Sequence, residues 1–270
     1  MSFDRCYFNG ALLPLEVVRI CPDDGGWLRG EGLFETLRVS RGTALDIGAH
    51  LERLYAGLSV LQIAIPEDPG VIGAAVEQLA ALAEGPARLR VTITTGAPQS
   101  GPTRLITVAP YAPPSTVQYR SGVKAISVRD LRLDALSPLR GLKSTSYLVH
   151  RLIGAQATAA GAFDALVFND RDRLVEGGRA NIVLQIDHEW VTPPTADGCL
   201  PGTVRRRLLE GGWVQERSLD RRALVGARAA AFTNSLVGVL PIARLDGRPL
   251  RVGQSVTELR QRLPGPWSRA

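Results

Sequence analysis

The first feature of this chain that could support covalent chemistry is a lysine among small, uncharged neighbours. Lys143 lies in Gly141-Leu142-Lys143-Ser144-Thr145-Ser146-Tyr147, immediately before an amphipathic stretch. Burial disfavours the charged form of an amine and lowers its pKa, and the neutral amine is a nucleophile. The segment also fits an ordinary lysine near a helix start that keeps its ammonium in water. Glu176, in Val175-Glu176-Gly177-Gly178, is taken alone an acid in a tight turn. Arg53 closes His50-Leu51-Glu52-Arg53 on a helical pattern. It reads as one more surface arginine on its helix, although guanidinium geometry suits bidentate recognition of a phosphate. Gly202-Thr203-Val204 precedes a helix reading to about Leu209, and a helix start offers free N–H groups and a positive dipole end to an anion.

These residues need elements to hold them. Short β-rich runs at 5–8, 33–39 and 43–45, with turns at Asn9-Gly10 and Arg41-Gly42, read as strands and hairpins. Leu51, Leu54, Leu58 and Leu61 recur at helical spacing, as do Val71, Ala75, Leu79 and Leu82, while 89–94 and 105–108 return to strand character. Pro110, Pro113 and Pro114 interrupt the pattern, placing a boundary near residue 115. The expected class is α+β, with a small α+β domain at 1–114 and a larger, β-rich domain at 115–270. In the second, 123–128 reads as a strand and 146–160 as a helix with Leu148, Leu152 and Ala155 on one face.

Composition narrows the partners. Charged residues at 21% and hydrophobic ones at 45% argue for a globular chain, and no apolar stretch approaches a bilayer-spanning length. The N-terminus lacks a basic start followed by an apolar run, so a cytoplasmic protein without a membrane partner is expected. The net charge of +6 is dispersed, and its densest cluster, Arg205-Arg206-Arg207, lies in a helix, which reads as a solvated face with no nucleic-acid partner. A basic balance also suits an anionic cofactor and carboxylate-bearing small-molecule substrates. Cys6, Cys21 and Cys199 are odd in number and scattered, the pattern of reduced thiols.

Order and spacing together carry more than any one segment. Lys143 to Tyr147, then Phe163-Asp164-Ala165-Leu166-Val167-Phe168, Glu176-Gly177 and Asn181-Ile182 resemble the class IV aminotransferases, the type IV fold of pyridoxal-phosphate enzymes. Further matches are Gly30-Glu31-Gly32-Leu33-Phe34-Glu35-Thr36, His50-Leu51-Glu52-Arg53-Leu54, Leu200-Pro201-Gly202-Thr203-Val204-Arg205 and Phe232-Thr233-Asn234-Ser235, so the resemblance runs through nearly the whole chain. It implies pyridoxal 5'-phosphate as cofactor, Lys143 as the Schiff-base lysine and a homodimer. Glu176 would hydrogen-bond the pyridine nitrogen, Arg53 hold the phosphate and Tyr147 contact the phenolic oxygen. A carboxylate beside the ring nitrogen favours its protonated form, the better electron sink. Thr203 and Val204 would line a phosphate cup, although Gly-Thr-Val here replaces the commoner Gly-Ile-Thr, moving the hydroxyl one place forward. Ser235 is a second hydroxyl candidate, or a turn serine after a strand at 229–232. His50, His150 and His188 show no catalytic spacing and receive no role.

This fold hosts transaminases of branched-chain or D-amino acids and the lyase that converts 4-amino-4-deoxychorismate to 4-aminobenzoate and pyruvate, so fold alone does not choose. The string Thr233-Asn234-Ser235-Leu236-Val237-Gly238 looks like the lyase, where Asn followed by a small residue and Leu is usual. Asn234 is thereby a substrate-site candidate. Arg29 stands where branched-chain transaminases carry an aromatic residue, and would suit a carboxylate; its plainer reading is a solvent-facing arginine in a loop at 25–30. Arg179 is a weaker candidate of the same kind, and Thr94-Thr95-Gly96 departs from the Arg-Gly common in lyases. Thr36 is a candidate for assisting protonation of the leaving enolpyruvyl methylene, against local packing on a strand. The lyase is the leading expectation, a transaminase the second, and a non-catalytic binding protein of the same fold the third.

Overall fold

The computed structural model describes residues 3–267. Contacts divide the chain into two units, Met1–Pro113 with Leu142–Tyr147, and Pro114–Gly141 with Leu148–Ala270. Both mix helices with largely antiparallel sheet, so the class is α+β. Among the described residues no helix is long and apolar enough to cross a membrane.

The first unit is built on β1 (Arg5–Phe8), β2 (Ala11–Pro14), β3 (Gly32–Ser40), β4 (Thr43–Ala44), β5 (Ala87–Thr94) and β6 (Arg104–Pro110), in the order β2-β1-β6-β5-β3-β4. Its helices are α1 (Gly25–Arg29), α2 (Ile47–Val60) and α3 (Pro69–Ala81). Side chains alternate across a strand. Leu33, Leu37 and Val39 of β3 therefore meet Leu51, Leu54 and Leu58 of α2 and Ile72, Val76 and Leu79 of α3 in one core. Phe34, Thr36 and Arg38 point to the opposite face. Asp68 starts α3 by accepting the N–H groups of Gly70 and Val71, with Pro69 at the first helical position.

The single cut near residue 115 misses one return of the chain. The segment 142–147 belongs to the first unit, because the outer edge of β3 would otherwise leave backbone groups unpaired. Phe34 donates its N–H to the Lys143 carbonyl at 2.8 Å and Thr145 donates to the Gly32 carbonyl at 2.9 Å. The lysine is thus set by sheet-edge pairing in the first unit, not by the β-rich domain in which the sequence places it.

The second unit contains β7 (Val123–Leu133), β8 (Asp164–Asn169), β9 (Leu174–Gly177), β10 (Asn181–Ile186), β11 (Glu189–Thr192), β12 (Gln215–Glu216), β13 (Ala229–Asn234), β14 (Gly238–Leu245) and β15 (Arg248–Pro249). Their order is β12-β11-β10-β13-β14-β7-β8-β9, with β15 on β14. The pairs β14–β7, β7–β8 and β11–β12 are parallel. Its helices are α4 (Thr116–Ser121), α5 (Leu148–Ala159), α6 (Thr203–Glu210), α7 (Arg221–Gly226) and α8 (Gln254–Gln261). Helix α5 buries a different face from the expected one: Ile153 and Ala157 are buried, whereas Leu148 is 71% and Leu152 47% exposed. The three cysteines are unpaired thiols, and burial first, then the charge of Glu176, pushes Cys199 up to about 12.

Candidate active site

In the first unit the Lys143 segment is tied down by its own small residues. Thr145 and Ser146 donate their hydroxyls to the Gly30 carbonyl at 2.7 and 3.1 Å, and Ser144 Oγ accepts the Ser146 N–H. Gly30 turns through a left-handed conformation with φ 72°, and a Cβ there would stand 2.5 Å from Ser146 Oγ. The run Ser144-Thr145-Ser146 is therefore a clamp on the turn before β3. Lys143 Nζ lies 4.6 Å from the Phe34 ring centroid, and the Tyr147 ring meets Phe34 edge-on at 5.4 Å.

A small pocket is lined by Leu33, Phe34, Glu35, Arg53, Leu54, Gly57, Leu142 and Lys143, so the lysine and Arg53 share it. Arg53 Nε and Nη2 bond Glu35 Oε1 and Oε2 at 2.7 and 2.6 Å, and His50 Nδ1 lies 2.6 Å from Glu35 Oε2. Burial alone would raise the Glu35 carboxyl, but hydrogen bonds from His50 and Arg53 bring it down to about 2. Glu35 and His50 receive no role from sequence reasoning. The available signal was that His50 and Arg53, three apart on a helix, share a face that an acid on β3 can meet.

The Phe34 face of the sheet is cationic. Register pairs Thr36 with Arg90 and Arg38 with Arg88. The Arg90 guanidinium sits 3.8 Å from the Phe34 centroid and its Nε donates to Thr92 Oγ1 at 3.1 Å. Desolvation lowers the Arg90 pKa, Tyr147 opposes the fall, and Arg88 adds to it. Thr36 lies on this face, as Phe34 does. Arg88 and Arg90 were missed because alternating arginines on a strand read as an ordinary solvated face. Arg29 ends α1 and is not in a loop; it is 58% exposed, and Glu31 takes its guanidinium at 2.6 and 2.9 Å. Thr94 and Thr95, at the departing segment, donate to Asp24 and Glu31.

In the second unit Glu176 is the penultimate residue of β9 and only 7% exposed. Its Oε2 accepts Asn181 Nδ2 and the Leu200 N–H, both at 3.1 Å. The following turn is held by Asp164, which accepts the N–H groups of Gly178 and Arg179 at 3.1 and 2.9 Å. Burial raises the Asp164 pKa, against the pull of those donors. Thr203 and Val204 are buried at the start of α6, whose N-cap, Gly202, makes no side-chain cap bond. A Cβ on Gly202 would lie 2.0 Å from Asn181 Oδ1, so the glycine leaves room for the amide beside Glu176. Asn234 spends its side chain on its own turn, accepting from Leu236 and Val237 and donating to the Arg179 carbonyl. The Arg179 guanidinium bonds the Phe163 carbonyl, and the Ser235 carbonyl accepts from Trp267 Nε1.

Each unit, taken by itself, offers groups of the kind pyridoxal phosphate uses. An amine and a guanidinium share one pocket of the first unit, and the second unit offers a buried carboxylate and a helix start without a side-chain cap. The family model described as amino-transferase class IV matches residues 32–245. The chain therefore belongs to the class IV aminotransferases, a family of pyridoxal-phosphate enzymes. It is 28% identical over 277 residues to a Methanocaldococcus jannaschii protein assigned as a branched-chain-amino-acid aminotransferase, covering 96% of this chain and 94% of that one. It is 27% identical over 263 residues to the bifunctional aminodeoxychorismate lyase / D-amino acid transaminase of Mycobacterium tuberculosis, covering 90% and 91%. A solved Mycobacterium tuberculosis structure, described as a hypothetical aminotransferase in its PLP-bound form, superposes with a TM-score of 0.84 at 25% identity over 96% of this chain and 98% of that one.

Proposed function

We propose that this chain is a pyridoxal-phosphate-dependent 4-amino-4-deoxychorismate lyase in which Lys143 carries the cofactor, Glu176 meets its ring nitrogen and Arg53 its phosphate. When bound, pyridoxal phosphate supplies an electron sink for the pair left at the substrate carbon as a proton departs. Lys143 takes that proton from the ring carbon bearing the amine. Thr36 assists return of a proton to the enolpyruvyl methylene as the carbon–oxygen bond breaks, so that pyruvate and 4-aminobenzoate leave with the proton count unchanged.

The observation that carries the choice of reaction is the arginine pair on the Phe34 face. Arg88 and Arg90 stand beside Arg38 and Thr36 by strand register. Such a face opposes an apolar side chain and favours a substrate with more than one carboxylate, which the lyase substrate has and the branched-chain amino acids and D-alanine lack. The Mycobacterium tuberculosis relative named for both lyase and transaminase activity supports the same reading. The second reading, a transaminase, is supported by the Methanocaldococcus jannaschii relative.

One paired assay separates them. Aminodeoxychorismate is expected to yield fluorescent 4-aminobenzoate, with weaker or no turnover of branched-chain L-amino acids or D-alanine with 2-oxoglutarate. Turnover of the amino acids alone would overturn the lyase reading and leave the transaminase.

A further inference from the structure

We propose that Glu35 is the positioning residue for Arg53, itself anchored by His50, and that this buried chain prepares the guanidinium for the cofactor's phosphate. The inference rests on the reading of Arg53 as the phosphate arginine.

Glu35 and His50 are each 1% exposed, whereas the Arg53 side chain keeps 12% exposure and lines the pocket that Lys143 also lines. Burying a charge this deeply is costly unless it is paired on all sides, and Glu35 is met by two cation-forming side chains from one face of α2. An ionised carboxylate only accepts, so Nδ1 of His50 carries the proton between them. Among the described residues the buried Nε2 of His50 has no hydrogen-bond partner, and the ring's polar contact is Nδ1 with Glu35 Oε2.

The consequence concerns entropy and direction. An arginine side chain is long and loses much rotamer freedom when it is fixed onto an anion. Here the Nε and Nη2 edge is already fixed by two short bonds to Glu35. A planar, rigid guanidinium held along one edge has one orientation, so an arriving phosphate meets a group whose direction is already set. The acid sits on β3, between β5 and the Lys143 segment, and so the element that fixes the lysine backbone also fixes the arginine.

The test compares binding of pyridoxal 5'-phosphate with that of pyridoxal, which lacks the phosphate, to the full-length apoenzyme, followed by near-ultraviolet and visible absorbance. The ratio of the two dissociation constants reports phosphate recognition alone. Arg53→Ala is expected to collapse that ratio. Glu35→Gln is expected to lower it about tenfold while pyridoxal binding stays within about twofold, the scale of one charge-assisted hydrogen bond. His50→Gln is expected to lower it by about threefold. In the Arg53→Ala background, Glu35→Gln is expected to add nothing, since a residue acting through another has no effect once that other is gone. Should Glu35→Gln fail to fold, Glu35→Asp, which keeps the charge and shortens its reach, is expected to give a ratio below that of the native enzyme. A collapse with Arg53→Ala but an unchanged ratio in the folded Glu35 variant, or additive losses in the double variant, would overturn the positioning role. An unchanged ratio in Arg53→Ala would instead remove the phosphate reading of Arg53 itself.

Discussion

Glu35, Asp164 and Glu176 are three buried carboxylates held in three ways: by the side chains of His50 and Arg53, by backbone N–H groups, and by an amide with one N–H. The difference is measurable for Glu35, whose folded pKa of about 2 lies below the ordinary 4.5. A depressed folded value stabilises fully above the unfolded pKa, and the contribution is lost as pH falls through the folded one. Native protein is therefore expected to lose on the order of 2–3 kcal/mol between about pH 4.5 and 2 through this group alone. Urea unfolding at steps of pH should show a shallower fall for Glu35→Gln; parallel curves would contradict the pairing. Asp164→Ala, which strands the Gly178 and Arg179 donors, is expected to cost about 2–3 kcal/mol in the same assay, with Asp164→Asn milder. Lys143 and Glu176 were legible as candidates because each stands in a run of residues with a recognisable order. The His50–Glu35 contact was not, since it joins a helix to a strand and no periodicity within either segment reports it. Asn234 was legible as a motif residue, but a sequence cannot show that its amide is spent on the turn it starts.

At the scale of elements, periodicity located helices better than it chose their faces. Leu148, Leu152 and Ala155 recur at helical spacing, and so do Ile153 and Ala157 on the other side of α5; when both faces carry apolar residues the period cannot say which meets the core. The structure buries Ile153 completely. Ile153→Ala is expected to cost about 2–4 kcal/mol in urea or thermal unfolding, and Leu152→Ala well under ~1 kcal/mol. Equal costs would contradict the assigned face. The start of α6 makes a second element-level prediction, because Gly202 is needed for close approach. Gly202→Ala forces a Cβ against Asn181, the partner of Glu176, and is expected to destabilise by about 1–3 kcal/mol. No change in stability would mean that Asn181 has room the structure does not show.

For the whole molecule, the proline interruption at 110–114 and the change in strand pattern made two units legible. The return of 142–147 to the first unit was not, because it depends on which strand edge is left open. The homodimer expected from the family resemblance is proposed here too; sedimentation of the holoenzyme is expected to give twice the chain mass, and a monomer at working concentration would refute it. The central claim is covalent, and this chain makes it unusually testable: it holds two lysines, Lys124 and Lys143, of which Lys124 donates to the Ala160 carbonyl. Borohydride reduction of the holoenzyme followed by peptide mass mapping should place the phosphopyridoxyl group on Lys143. Finding it on Lys124, or on neither lysine in protein that binds pyridoxal phosphate, would contradict the account.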